Sequence, residues 1–204
     1  MTDAPRESPF EMRRADYFAG LGEFIHVFSQ VEAQLQYALW SEAGVSPEVA
    51  KAVFSGVRLD QGKSLIIRLQ DATRKARNPV LERAFSQLTV LTNARNDIVH
   101  YGARFRGGGI EVSTAMAAHI PDRLRIIPID EGTFRAMIAD LYQIKWVIDL
   151  HIIGKGRTPP DYGKWVRQAA ELPWQYTPPQ QSPPQKPRQT PHPMRSRQRG
   201  ASQE

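Results

Sequence analysis

From Asp16 to Trp40 the apolar residues Phe18, Leu21, Ile25, Phe28, Leu35 and Leu39 recur at three- and four-residue spacing. That period matches the turn of an α-helix and predicts one long helix with a single buried face. Glu32 falls where this stripe calls for an apolar side chain, and a carboxylate buried there needs a partner or a proton. Ser46-Pro47-Glu48 reads as an N-cap, a proline at the first helical position and an acid at the positive helix end, opening a short helix to Phe54. A third helix is predicted from Leu59 to Lys75, with Leu65, Ile66 and Leu69 inward. Asn78-Pro79 opens a fourth. Val80, Leu81, Ala84, Phe85, Leu88, Leu91 and Thr92 carry its stripe forward to Arg95 and Val99, and it ends near His100-Tyr101-Gly102.

The period then changes. Arg104-Phe105-Arg106, glycines at 107 to 109 and Ile110-Glu111-Val112 predict two short strands around a tight turn, with a third strand over Leu124–Ile127. Asp130 caps a long helix whose Phe134, Met137, Leu141, Ile144 and Ile148 face inward and which finishes at Gly154. After Pro159-Pro160, Trp165, Ala169 and Leu172 keep helical spacing, a short amphipathic piece suited to docking back on the helices. From Pro173 onward the chain carries half of its 16 prolines among Gln, Ser and Arg, a composition that cannot bury a core. The pattern predicts an all-α fold, a four- to five-helix bundle with a small β-hairpin insertion and a disordered C-terminal tail. Its divisions are a flexible N-terminus (1–14), a helical domain (15–156), a docked segment (157–174) and a basic proline-rich tail (175–204).

Charge adds little to the folded part. Of the net +6, the tail contributes +4 through Lys186, Arg188, Arg195, Arg197 and Arg199 against Glu204, so any electrostatic hold on nucleic acid or an acidic partner lies mainly there. The 204 residues contain no cysteine, which removes disulfides, thiolate nucleophiles and thiolate-bound metals. No run of eighteen uncharged residues occurs and Met1 to Pro9 lacks a signal-peptide pattern, so a cytoplasmic protein without membrane association is expected.

Several motif fragments fail on their surroundings. Gly62-Lys63-Ser64 resembles the end of a phosphate-binding loop, yet position 57 is Val where that loop needs Gly, and no strand precedes it; Lys63 reads as a helix-side basic residue. Gly107 to Gly109 lack a following helix and are explained by a hairpin turn. Pro184, Pro187 and Arg188 put the basic residue out of register for a proline-rich ligand. His26, His100, His119, His151 and His192 stand singly, so neither a metal site nor a cofactor is expected.

The segment Asn93-Ala94-Arg95-Asn96-Asp97-Ile98-Val99-His100-Tyr101-Gly102 is different. It places Arg, Asn, Asp and His on a stripe that was apolar until then. Asn96 and His100, four apart, share a face, whereas Arg95 and His100 lie about 140° apart on an ideal helix. The negative helix end favours imidazolium at His100, which suits a proton donor, and Arg95 offers a planar fork for phosphate.

Arg95, four intervening residues and His100, with polar Asn96 directly after the arginine, resemble the Arg-x4-His signature of the HEPN superfamily (higher eukaryotes and prokaryotes nucleotide-binding domains). The long first helix with Phe28-Ser29-Gln30-Val31-Glu32 and the motif near the end of a later helix agree with that resemblance over Asp16 to Ile153. It implies metal-independent endoribonuclease activity of toxin or phage-defence type, at a site built across a homodimer. In that family the histidine transfers protons around the 2′-hydroxyl and the arginine steadies phosphate charge. Carried over, these roles fall on His100 and Arg95, with Asn96 orienting His100 or the phosphate and Glu32, Asp97 and Tyr101 supporting. RNA and an antitoxin protein are the implied partners. Some antitoxin-controlled members carry Tyr two residues after the His; here Tyr101 follows immediately and Gly102 takes that place. Two other readings stand beside this one: a non-catalytic scaffold in which Arg95 pairs with Glu32 in a buried network, and a nucleic-acid-binding module that uses the tail.

Overall fold

The computed structural model describes residues 8–73, 75–106, 109–113, 126–154 and 160–179. The first helix, α1 (Pro9–Ala43), begins seven residues before Asp16, within the stretch expected as a flexible terminus. The cause is a capping box: Ser8 Oγ accepts the Glu11 N–H at 3.2 Å, while the Glu11 carboxylate accepts the Ser8 N–H at 3.0 Å. Two orphan amides are thereby satisfied reciprocally, and Pro9 presets the first turn. At the far end Gly44 closes α1 at φ +65°, a left-handed conformation that glycine adopts without a Cβ penalty.

The buried stripe of α1 differs from the predicted one. Tyr17, Phe24, Val27, Phe28, Val31, Leu35, Ala38 and Leu39 are buried, whereas Phe18 is 52% exposed. Val31 takes the core position next to Glu32, so the carboxylate stands at the flank of the stripe rather than inside it.

Helices α2 (Pro47–Phe54) and α3 (Leu59–Ala72) follow, the former capped by Ser46 as expected. Lys63 on α3 is buried, not a surface residue: its ammonium bonds Asp60 at 2.7 Å and Thr89 at 2.5 Å. Helix α4 (Pro79–Tyr101) starts at Asn78, whose side chain accepts the Val80 and Leu81 amides, and stops at Gly102 with φ +64°. Its inward face ends in Ala94 and Ile98; Val99 is 52% exposed, because a straight helix rotates it away from the core at that point.

Strands β1 (Ala103–Arg106), β2 (Gly109–Ser113) and β3 (Ile126–Pro128) form an antiparallel sheet in that order, with Ala103 opposite Val112 and Val112 opposite Ile127. Val112 and Ile127 enter the core, and Phe105 meets Phe10 and Tyr17 of α1 edge-on. Residues 107, 108, 124 and 125 of the expected turn and third strand lie outside the described residues.

Helix α5 (Glu131–Ile148), capped by Asp130, buries Phe134, Met137, Leu141, Ile144 and Ile148 as expected and continues through a π-helical turn, Asp149–Ile153, to Gly154. It packs along α1 and α4, and α6 (Pro160–Ala170) closes against it. Ala169 is buried, but Leu172 is 57% exposed.

The chain stays attached beyond the expected end of the docked segment. Gln143 donates to the Leu172 carbonyl at 2.8 Å, Asp140 accepts the Gln175 and Tyr176 amides at 2.8 and 3.0 Å, and Gln87 donates to the Tyr176 carbonyl at 3.0 Å. Buried side chains thus act as the partner strand for residues 172–176, and Tyr176 is buried among them. Residues 180–204, which hold the basic part of the tail, lie outside the described residues. Among the described residues the architecture is mostly helical, with six α-helices and one small sheet.

Candidate functional site

The final two turns of α4 present Thr92, Arg95, Asn96, Val99 and His100 at three- and four-residue spacing, which places them along one side of the helix. Ala94, Asp97 and Ile98 point the other way and are buried. His100 and Tyr101 are exposed at the carboxyl end of the helix.

Arg95 is held from two directions. Its Nη2 donates to Glu32 Oε1 at 3.0 Å, and its guanidinium carbon lies 4.8 Å from the centroid of the Phe28 ring. The side chains of Arg95 and Glu32 are 28% and 41% exposed, so this is a rim pair with water access rather than a buried one. The ring and the carboxylate orient the fork and leave part of its donor edge open. Asn96 is half-buried, and its amide has no hydrogen-bond partner among the described residues.

Four of the six predicted site residues, Arg95, Asn96, His100 and Glu32, therefore lie on or beside this side of α4, while Tyr101, exposed at the helix end, falls in line with Asp97 four residues before it. Asp97 is buried on the opposite side of α4, near the C-terminal strap, where burial and secondly the Asp97 charge push the Tyr176 hydroxyl up to about 12. Its role belongs to the packing of that strap.

Beside Arg95 opens a cleft of about 610 Å³ between α1, the start of α3 and α4. Arg95, Asn96 and Thr92 form one wall, Glu32 and Gln36 another, and Arg58 and Asp60 the third. Sequence reasoning did not find Arg58, Gln36 or Asp60. Nothing local marks them, since Arg58 lies 37 positions from Arg95 and the two meet only across packed helices. His100 lies one turn past the cleft, beyond Asn96.

Among the described residues no group of three His, Asp or Glu side chains is placed to hold a metal ion, and no helix is long and apolar enough to cross a membrane. Comparison with protein-family models, curated proteins and solved structures returns no match.

Proposed function

We propose that the chain is a metal-independent endoribonuclease of HEPN type that works as a homodimer. The observation that carries this reading is the joint placement of an exposed His100 at the negative end of α4 with a rim arginine, Arg95, one and a half turns before it, on a side of the helix the core leaves open. In the proposed reaction a 2′-hydroxyl oxygen attacks the adjacent phosphorus. One His100 takes the hydroxyl proton, the O–P bond forms, the P–O5′ bond breaks, and the leaving oxygen takes a proton from the His100 of the second protomer. The products are a 2′,3′-cyclic phosphate and a 5′-hydroxyl end. Arg95 carries the charge that builds on the phosphoryl oxygens, and Glu32 with Phe28 keeps its fork oriented. Exposed Val99 and Tyr101 beside His100 provide apolar surface for the second protomer. Under this reading RNA is the substrate, and a toxin or phage-defence role with an antitoxin partner in the cytoplasm follows from the family resemblance.

A second reading is favoured by one specific contact. Arg95 is already paired with Glu32, as a non-catalytic scaffold would require. Incubation with mixed RNA in excess EDTA separates the two. The nuclease reading expects cleavage by the wild type that is lost in His100→Ala and strongly reduced in Arg95→Ala, both of verified fold. No cleavage by any of the three, on any RNA offered, leaves the scaffold in its place.

A further inference from the structure

At the C-terminal strap the helices supply side chains and the strap supplies backbone. Asp140 and Gln143, three apart on one face of α5, and Gln87 on α4 are all buried. Asp140 accepts the Gln175 and Tyr176 amides at 2.8 and 3.0 Å, while Gln143 and Gln87 donate to the Leu172 and Tyr176 carbonyls at 2.8 and 3.0 Å. These bonds read a main chain, not a sequence. Sequence enters only through Trp174, half-buried against the core, and Tyr176, 6% exposed; Pro173, Gln175 and Thr177 between and beside them are exposed. That alternation is the two-residue period of an extended segment.

The groove is held in shape by the helices and not by the strap. α4 and α5 make their own backbone bonds, and Gln87 also donates to Asp140 at 2.7 Å, so two of the three reading side chains fix each other. The strap's own fit is incomplete. The buried Tyr176 hydroxyl has no hydrogen-bond partner among the described residues, and burial pushes the Asp140 carboxyl up despite its three bonds. Both penalties are relieved when water reaches the groove. The strap also lies at the surface, with residues 171–173, 175 and 177–179 exposed.

We propose that the α4–α5 groove is a peptide-docking site which the chain's own strap fills in cis, and that an extended segment of a different protein, with two aromatic residues separated by one residue, takes its place by exchange. Backbone bonds give such a site affinity, and the two seated side chains give it selectivity. An acidic residue at the second position is excluded, because it would meet the Asp97 charge that the Tyr176 hydroxyl already feels. The proposal does not rest on the nuclease reading.

Two measurements on the full-length chain test it. Native-state hydrogen exchange reports whether the strap lifts alone: the Gln175 and Tyr176 amides are expected to exchange at least about tenfold faster than the amides of Leu141 and Ile144 inside α5, through an opening that leaves the helix intact. Exchange of all four only by global unfolding overturns the proposal, whatever any variant does. Fluorescence anisotropy then follows a labelled peptide of residues 172–179 titrated into the wild type and into Trp174→Ala, whose own strap is weakened and whose fold is checked by circular dichroism. The expected result is binding at least about tenfold tighter to Trp174→Ala than to the wild type, where the cis strap competes. A peptide with alanine at both aromatic positions should bind neither chain, and one with phenylalanine for the tyrosine should bind at least as well, since that hydroxyl has no acceptor. Equal binding to both chains, or equal binding of the double-alanine peptide, overturns the groove. Wild-type dimers that the free peptide dissociates would make a second copy the occupant and overturn the assignment to a different protein.

Discussion

Two polar clusters sit on different sides of α4, and they are built from similar residues in opposite ways. Towards α5, Asp140 is fully buried and accepts three hydrogen bonds, from Gln175, Tyr176 and Gln87, while Gln143 holds the Leu172 carbonyl. Towards α1 and α3, Arg95 and Glu32 are partly exposed, and Asn96, Gln36 and Arg58 have side chains without partners among the described residues. The first cluster is closed: each bond is internal, and it ties the C-terminal strap to the bundle. The second is open, with donors and acceptors oriented but uncommitted. Polar residues by themselves do not mark a site: the closed cluster holds the fold together, and only the open one has groups within reach of solvent or a ligand while the strap is seated.

The sharpest way to break this contrast is His100→Ala. Under the proposed nuclease reading, loss of this general acid-base group lowers cleavage by about 10²- to 10⁴-fold, while an exposed position changes stability by no more than about 0.5 kcal/mol. A thermal melt that falls as steeply as the activity would move His100 to the structural side. Asp140→Ala has the opposite profile: it takes the acceptor from the Gln175 and Tyr176 amides and leaves Gln87 only its bond to the Tyr176 carbonyl, a cost of about 3 kcal/mol read in urea unfolding. Unchanged stability there would mean that the strap is not held by this carboxylate.

The pH dependence separates the clusters further. Burial raises the Asp140 carboxyl above 3.8 despite its three hydrogen bonds. Its contribution to stability is therefore fully present below about 3.8 and is lost as pH rises through the higher folded value. Asp130, lowered by its bonds to Thr133 at the start of α5, runs the other way: its contribution is present above 3.8 and is lost as pH falls through the lower folded value. Melting curves from pH 3 to 7 should thus shift in opposite directions in Asp140→Asn and Asp130→Asn, each relative to wild type. The smallest effect belongs to Glu32→Gln, since a half-exposed ion pair contributes about 0 to 1 kcal/mol. Its melt should barely move, while under the proposed nuclease reading cleavage falls because the Arg95 fork loses one of its two supports; a loss of several kcal/mol of stability would favour the scaffold.

Much of the fold was legible locally. Ser46-Pro47, Asn78-Pro79 and Asp130 each start a helix where expected, because a cap acts on amides two or three residues away. Ser8-Pro9-Phe10-Glu11 is a cap of the same kind, which starts α1 earlier than the apolar spacing from Asp16 suggests. The stripe itself misplaced Phe18 and Val99, since periodicity tells that a helix has a face but not how neighbouring helices turn that face. For the candidate site, the Arg95-to-His100 segment stood out because it puts polar residues on an apolar stripe. Asp97, four positions from Asn93 and three from His100, could not be sorted from its neighbours without knowing which side of α4 meets the strap.

The helical class, the helix starts and the polar cluster at the end of α4 are set by interactions within a few residues and can be read from the chain directly. That Glu32 meets Arg95, that Arg58 and Gln36 line the same cleft and that Tyr176 returns to Asp140 emerges from long-range packing. Those meetings span tens of residues and depend on how packed helices cross and rotate, and neither periodicity nor capping encodes that geometry.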